Sequence, residues 1–234
     1  IGRGEKGETP TLYVGEKVGS GKGPRLDVAA EPLEGPAIVA DGRANALAAV
    51  ALAEKGCLFP APAVYMEKIA VGPKALGAID ITAGPESNLR SIAETMKCYV
   101  EDLTVVVLDR PRHADLIRTV REAGARIKLI QDGDLSGAIA TALEDSGVDV
   151  LMGIGRAPEG VLAAAALRCL GGDMQAQFKP ASEEDVARVR RTGLKDMDRV
   201  LTITDLARGG EVTFTATGVT DGDLLKGVRF FGGG

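Results

Sequence analysis

From about Asn88 onward, apolar positions along the chain switch regularly between a helical and a strand period, which predicts alternating helices and strands. Asn88 to Lys97 reads as a helix and Leu103 to Leu108 as a Val-rich buried strand. Arg112 to Ala123 is amphipathic, with Leu116, Ile117 and Val120 on one face and Gly124 as its stop. Arg126 to Ile130 is a strand, Leu135 to Leu143 a helix and Val148 to Ile154 a strand. Glu159 to Leu170 is a helix opened by Pro158 and closed by Gly171-Gly172. Glu211 to Val219 alternates polar and apolar residues as a strand does. The first third is glycine-rich, with extended runs at Thr11 to Val14 and Leu26 to Ala30. Ala44 to Ala53 is apolar throughout, so periodicity does not decide between strand and helix. The pattern predicts a layered α/β fold whose second half carries a largely parallel sheet covered on both faces.

Composition narrows the function classes. The 234 residues suffice for one large α/β unit, and the apolar share of 45% is that of a globular protein. Lys and Arg number 28 against 33 Asp and Glu, a net charge of -5, and aromatics are 3% with no Trp. Neither a polyanion-binding surface nor a base-stacking platform is expected, so nucleic acid is not a partner. No apolar run reaches membrane-span length and no signal-peptide pattern is present, so no membrane partner is expected. Cys57, Cys98 and Cys169 lack metal-ligand spacing and read as buried thiols of a reducing cytoplasm. A start at Ile1 without Met and an end in Gly232-Gly233-Gly234 are compatible with a fragment of a longer protein.

The candidate chemistry lies in polar loops at strand ends. Glu31-Pro32-Leu33-Glu34-Gly35 reads as a tight turn with two carboxylates, the donors that hard divalent cations prefer. Asp109-Arg110-Pro111-Arg112-His113 holds two arginines apart, and arginine forks bind phosphate bidentately. Asp132-Gly133-Asp134 offers acids for sugar hydroxyls or a metal, and Glu159 lies in the first turn of a helix. Each loop alone has an ordinary explanation as a solvated turn or a helix-dipole partner; their placement on consecutive strand ends favours a shared site. His113, the only histidine, reads as structural. Gly19-Ser20-Gly21-Lys22-Gly23 fails as a phosphate loop because Glu16 and Gly23 occupy required Gly and Ser/Thr positions. Gly153-Ile154-Gly155 fails as a dinucleotide fingerprint because Pro158 replaces its third glycine.

In order and spacing, a series of segments resembles the bacterial class II fructose-1,6-bisphosphatases, of the lithium-sensitive metal-dependent phosphatase superfamily. They include Glu31-Pro-Leu-Glu-Gly35, Asn45-Ala-Leu47, Tyr65-Met-Glu-Lys68, Arg110-Pro-Arg-His113, Asp132-Gly-Asp134, Ala157-Pro-Glu-Gly-Val161 and Ala216-Thr-Gly-Val-Thr-Asp-Gly-Asp-Leu-Leu225. The resemblance implies a sugar-phosphatase α/β/α sandwich with a metal-binding part over 1–87 and a sugar-phosphate-binding part over 88–234, forming one unit. It implies Mg²⁺ or Mn²⁺, a cytoplasmic homodimer or homotetramer, and hydrolysis of the 1-phosphate of fructose 1,6-bisphosphate in gluconeogenesis. Sedoheptulose 1,7-bisphosphate is an implied second substrate. By the same resemblance Glu5, Glu31, Glu34 and Glu159 are metal ligands, with Glu34 and Glu159 catalytic. Tyr65, Arg110, Arg112, Asp132, Asp134 and Arg156 would bind substrate. The chain also departs from the family. Glu31 stands for an Asp, Pro36 for a water-orienting Thr, Arg156 for a Gly and Arg3 for a ligand Glu. These departures imply an alternative: a sugar-bisphosphate-binding homologue with an impaired metal site and little turnover.

Overall fold

A computed structural model describes residues 12–232. Its strands are β1 (Leu26–Glu34), β2 (Leu47–Glu54), β3 (Tyr65–Val71), β4 (Thr104–Leu108), β5 (Arg126–Ile130), β6 (Val150–Arg156), β7 (Asp173–Phe178), β8 (Leu201–Thr202) and β9 (Val212–Gly218). Its α-helices are α1 (Pro36–Ala40), α2 (Gly84–Met96), α3 (Ala114–Glu122), α4 (Asp134–Ala140), α5 (Ala157–Leu170), α6 (Glu183–Arg191) and α7 (Ile203–Leu206).

Two sheets result. The smaller has the order β1-β2-β9 and is antiparallel. The larger has the order β5-β4-β6-β3-β7-β8, in which β4, β5, β6 and β7 share one direction and β3 and β8 oppose them. The ambiguous apolar run from Ala44 is thus a strand: Leu47, Ala49, Ala51 and Ala53 alternate inward along β2. Strands from either side of residue 87 share both sheets, since β3 lies mid-sheet beside β6 and β9 returns to pair with β2.

Helix α5 explains the layering. It packs on β1, β2 and β9 on one side and on β3, β6 and β7 on the other. A helix covered on both sides must be apolar all round, and Val161 to Leu167 are all buried. Four consecutive alanines, Ala163 to Ala166, let both sheets approach closely. The core around α4 and α5 lies between the sheets, and a second core lies under α2 and α3 on the far face of the large sheet. The result is a layered α/β sandwich.

Several boundaries differ from the sequence pattern. Helix α2 starts at Gly84 rather than Asn88 because Asn88 is buried and its amide donates to the Asp80 and Gly84 carbonyls, bracing the entry. Helix α4 stops at Ala140, where the Thr141 hydroxyl turns back on the Ala138 carbonyl. The Glu31–Gly35 segment is not a free turn. Strand β1 continues through it on the edge of the small sheet, with a bulge between Glu31 and Glu34, and edge strands tolerate Pro32. None of the cysteines is fully buried: Cys57 and Cys98 are half-buried and Cys169 is exposed.

Candidate active site

Glu34 ends β1 and is 4% exposed. Its Oε1 accepts from Leu135 N at 2.8 Å and its Oε2 from Ser136 N at 3.1 Å, so β1 is tied to the first turn of α4. Gly133 (φ 91°) makes the sharp entry, and a β-carbon there would meet Ser136 Oγ at 2.8 Å and Glu34 Oε2 at 3.5 Å. Asp134, the first residue of α4, is likewise buried and forms an ion pair with Lys68. Lys68 comes from β3, on the same face as Met66 and Ala70, and its Nζ also donates to the Arg156 carbonyl at 3.1 Å. Glu159, in the first turn of α5, is half-buried and hydrogen-bonds Asp134.

Burial first, then the fields of Asp134 and Glu159, push the Glu34 carboxyl well above its usual range. Burial and then Asp134 push Glu159 up to about 8, with Lys68 acting in the opposite direction and Glu31 adding a smaller upward push. Glu31 itself accepts from Leu33 N at 3.3 Å. Glu34, Asp134 and Glu159, with Lys68 paired to Asp134, form an all-oxygen donor set of the kind a hard divalent cation prefers. Among the described residues, no three His, Cys, Asp or Glu side chains already stand as a ligand cage. Both carboxylate oxygens of Glu34 keep lone pairs beyond their backbone bonds. Glu5 and Arg3 lie outside the described residues.

Beside the acids is a basic platform. Tyr65 opens β3 directly opposite Arg156, which ends β6. The Arg112 guanidinium lies over the Tyr65 ring at 5.1 Å and donates twice to the Ile154 carbonyl, at 3.1 and 2.8 Å. Arg112, Tyr65 and Arg156 are all exposed. Arg110 donates to its neighbour's carbonyl, Asp109 O, at 3.0 Å. The loop is anchored by His113, 2% exposed, whose Nδ1 donates to Leu108 O at 2.7 Å while Nε2 accepts from Ile154 N at 2.8 Å. Burial lowers its pKa from 6.5, so the ring is a neutral strut.

Asp132 separates from Asp134. It lines a cavity of about 230 Å³ between α4, β5 and the loop at Asp223, together with Arg43, Asn45, Lys128 and Ser136. Sequence reasoning missed Lys68 and the α4 backbone as parts of the acidic site. A lysine at a core-facing strand position between Met66 and Ala70 is the signal that could have found the first.

The whole chain, residues 1–234, matches the family model described as bacterial fructose-1,6-bisphosphatase, glpX-encoded. A D-fructose 1,6-bisphosphatase class 2/sedoheptulose 1,7-bisphosphatase of Synechococcus sp. (strain JA-3-3Ab) is 46% identical over 258 residues, covering 100% of this chain and 74% of the relative. The correspondingly named protein of Synechococcus elongatus is 44% identical over 258 residues, covering 100% of this chain and 75% of its own length.

Proposed function

This chain belongs to the bacterial fructose-1,6-bisphosphatase family, and from that premise we propose that it hydrolyses the 1-phosphate of fructose 1,6-bisphosphate with a bound divalent cation. Sedoheptulose 1,7-bisphosphate, in the names of the Synechococcus relatives, is the proposed second substrate. The observation that carries the reading is the all-oxygen donor set of Glu34, Asp134 and Glu159 beside an exposed Tyr65–Arg112–Arg156 platform.

Glu34 and Glu159, with Glu31 and Glu5, would hold Mg²⁺ or Mn²⁺. When bound, the cation neutralises charge on the phosphoryl group and acidifies water. The chain's own residues do the rest. Arg110, Arg112 and Arg156 grip the distal phosphate, and Tyr65 holds the Arg112 guanidinium over its ring. Asp132, on the cavity side of α4, takes sugar hydroxyls, while Asp134 supports the site through Lys68. Remote binding energy then positions the reacting phosphate against the acids. We also propose a cytoplasmic homodimer or homotetramer. No described helix is long and apolar enough to cross a membrane, and exposed Tyr99, Phe230 and Phe231 offer contact surface.

A second reading, tight binding with slow turnover, is favoured by Pro36, which opens α1 just after Glu34-Gly35 and has no hydroxyl to orient water. Phosphate release from fructose 1,6-bisphosphate, measured with Mn²⁺ and with a chelator, separates the two. Mn²⁺-dependent release that falls roughly a hundred-fold or more in Glu34→Gln and Glu159→Gln is expected for the enzyme. Thermal stabilisation by the sugar bisphosphate without release would leave only the binder.

A further inference from the structure

The acidic site contains a built seat for one lysine. Lys68 is 3% exposed, and its chain runs between two glycines on separate segments. A β-carbon at Gly155 would lie 1.9 Å from Asp134 Oδ2 and 2.8 Å from Lys68 Nζ; one at Gly160 would lie 3.3 Å from Lys68 Cδ and 3.1 Å from Met66 Sδ. Gly155 has no room for alanine unless the ion pair moves, and at Gly160 the Lys68 and Met66 side chains would have to give by a few tenths of an ångström. The ammonium reaches Asp134 on α4 and the Arg156 carbonyl at the β6–α5 junction, one turn before Glu159. Three separate elements therefore meet at a single nitrogen, and Asp134 in turn touches Glu159.

We propose that Lys68 is a positioning residue of the phosphatase site: its ammonium fixes the spacing between Asp134 and Glu159, and thereby the place at which the carboxylates take a divalent cation. The argument is one of charge and fit. Without Lys68, Asp134 would be a buried carboxylate between Glu34 and Glu159 with no cation of its own, and the three would move apart or draw the metal to a different point. With it, Asp134 is paired from the side of β3, which leaves Glu34 and Glu159 as the carboxyl groups open to a cation. An arginine there would bring a planar fork, broader than an ammonium, against Gly155 and so displace the pair. The proposal rests on the phosphatase reading for its substrate but not for its metal.

The test uses Lys68→Arg, which keeps the charge, and Gly155→Ala, which keeps every charged group and only displaces the pair. Melting temperature, Mn²⁺ binding by titration calorimetry, and kcat and KM for fructose 1,6-bisphosphate are measured for both beside the wild type. Both variants should melt as folded proteins yet bind Mn²⁺ about ten-fold more weakly, the effect of losing support behind metal ligands. Their kcat should fall about a hundred-fold with KM moving less than three-fold, since misplacement by about 1 Å costs that much. Unchanged Mn²⁺ affinity in either folded variant would overturn the proposal. So would failure of both to fold at any Mn²⁺ concentration, which would make Lys68 an element of stability alone. A wild type that releases no phosphate would sink the phosphatase reading, while the calorimetric comparison would still decide the role of Lys68.

Discussion

The upward shift of the Glu159 carboxyl has a sign that can be checked. An ordinary glutamate titrates at 4.5, whereas here the carboxyl is pushed up to about 8 by burial and by Asp134. The folded state therefore binds a proton that the unfolded chain releases, so this contribution to stability is complete below pH 4.5 and is lost as pH rises through about 8. Chelator-treated protein should melt at progressively lower temperature from pH 5 to pH 9, and Glu159→Gln should flatten the slope; a slope identical to wild type would remove Glu159 as its source. Added Mn²⁺ should reverse the trend, because binding displaces the proton. The platform makes its own prediction. Arg112→Ala should raise KM for fructose 1,6-bisphosphate by about ten-fold or more, the loss of a charged hydrogen bond worth roughly 1.5–3 kcal/mol. Equal KM values would show that its fork serves only Ile154 and Tyr65.

At the scale of elements, His113 couples the basic loop to β6. His113→Ala would leave Ile154 N and Leu108 O without their partners, at a cost of about 1–3 kcal/mol for a buried unsatisfied group. Chemical denaturation should show that loss with an unchanged slope against denaturant. Most of the elements from α2 onward were legible in the sequence, because α3, α5, β4 and β6 carry unbroken periods. Glu34, Glu159 and Arg112 stood out as acids and a phosphate fork at strand ends, whereas Tyr65, an ordinary strand residue, was legible only through the family resemblance. What stayed hidden depends on partners distant in the chain. Strand β2 is Ala-rich because α5 covers it, and β1 runs on through Pro32 because it lies at an edge. Asp134 and Asp132, two residues apart, part company because α4 starts between a buried lysine and a cavity. No local pattern encodes those neighbours.

For the molecule as a whole, α5 and its alanines make the two sheets a single packing problem: residues on β1, β2, β3, β6, β7 and β9 all press on one helix. Damage to either sheet is thereby felt at Glu159, which is on that helix, and at Glu34, which ends the small sheet. The order of the small sheet has a further consequence for how the protein is made. Strand β2 has β1 on one edge but receives β9 on the other, from Leu47↔Gly218 to Ala53↔Val212. Translation proceeds at about 5–20 residues per second, so on the order of ten seconds separates the emergence of the two partners from the ribosome. Throughout that interval β2 presents an open, apolar hydrogen-bonding edge, the kind that pairs with other chains. Stalled nascent chains ending before Val212 should therefore co-sediment with a holdase chaperone or aggregate, and chains released after Gly218 should not. Synthesis, as much as catalysis, would then set the demands on this sequence.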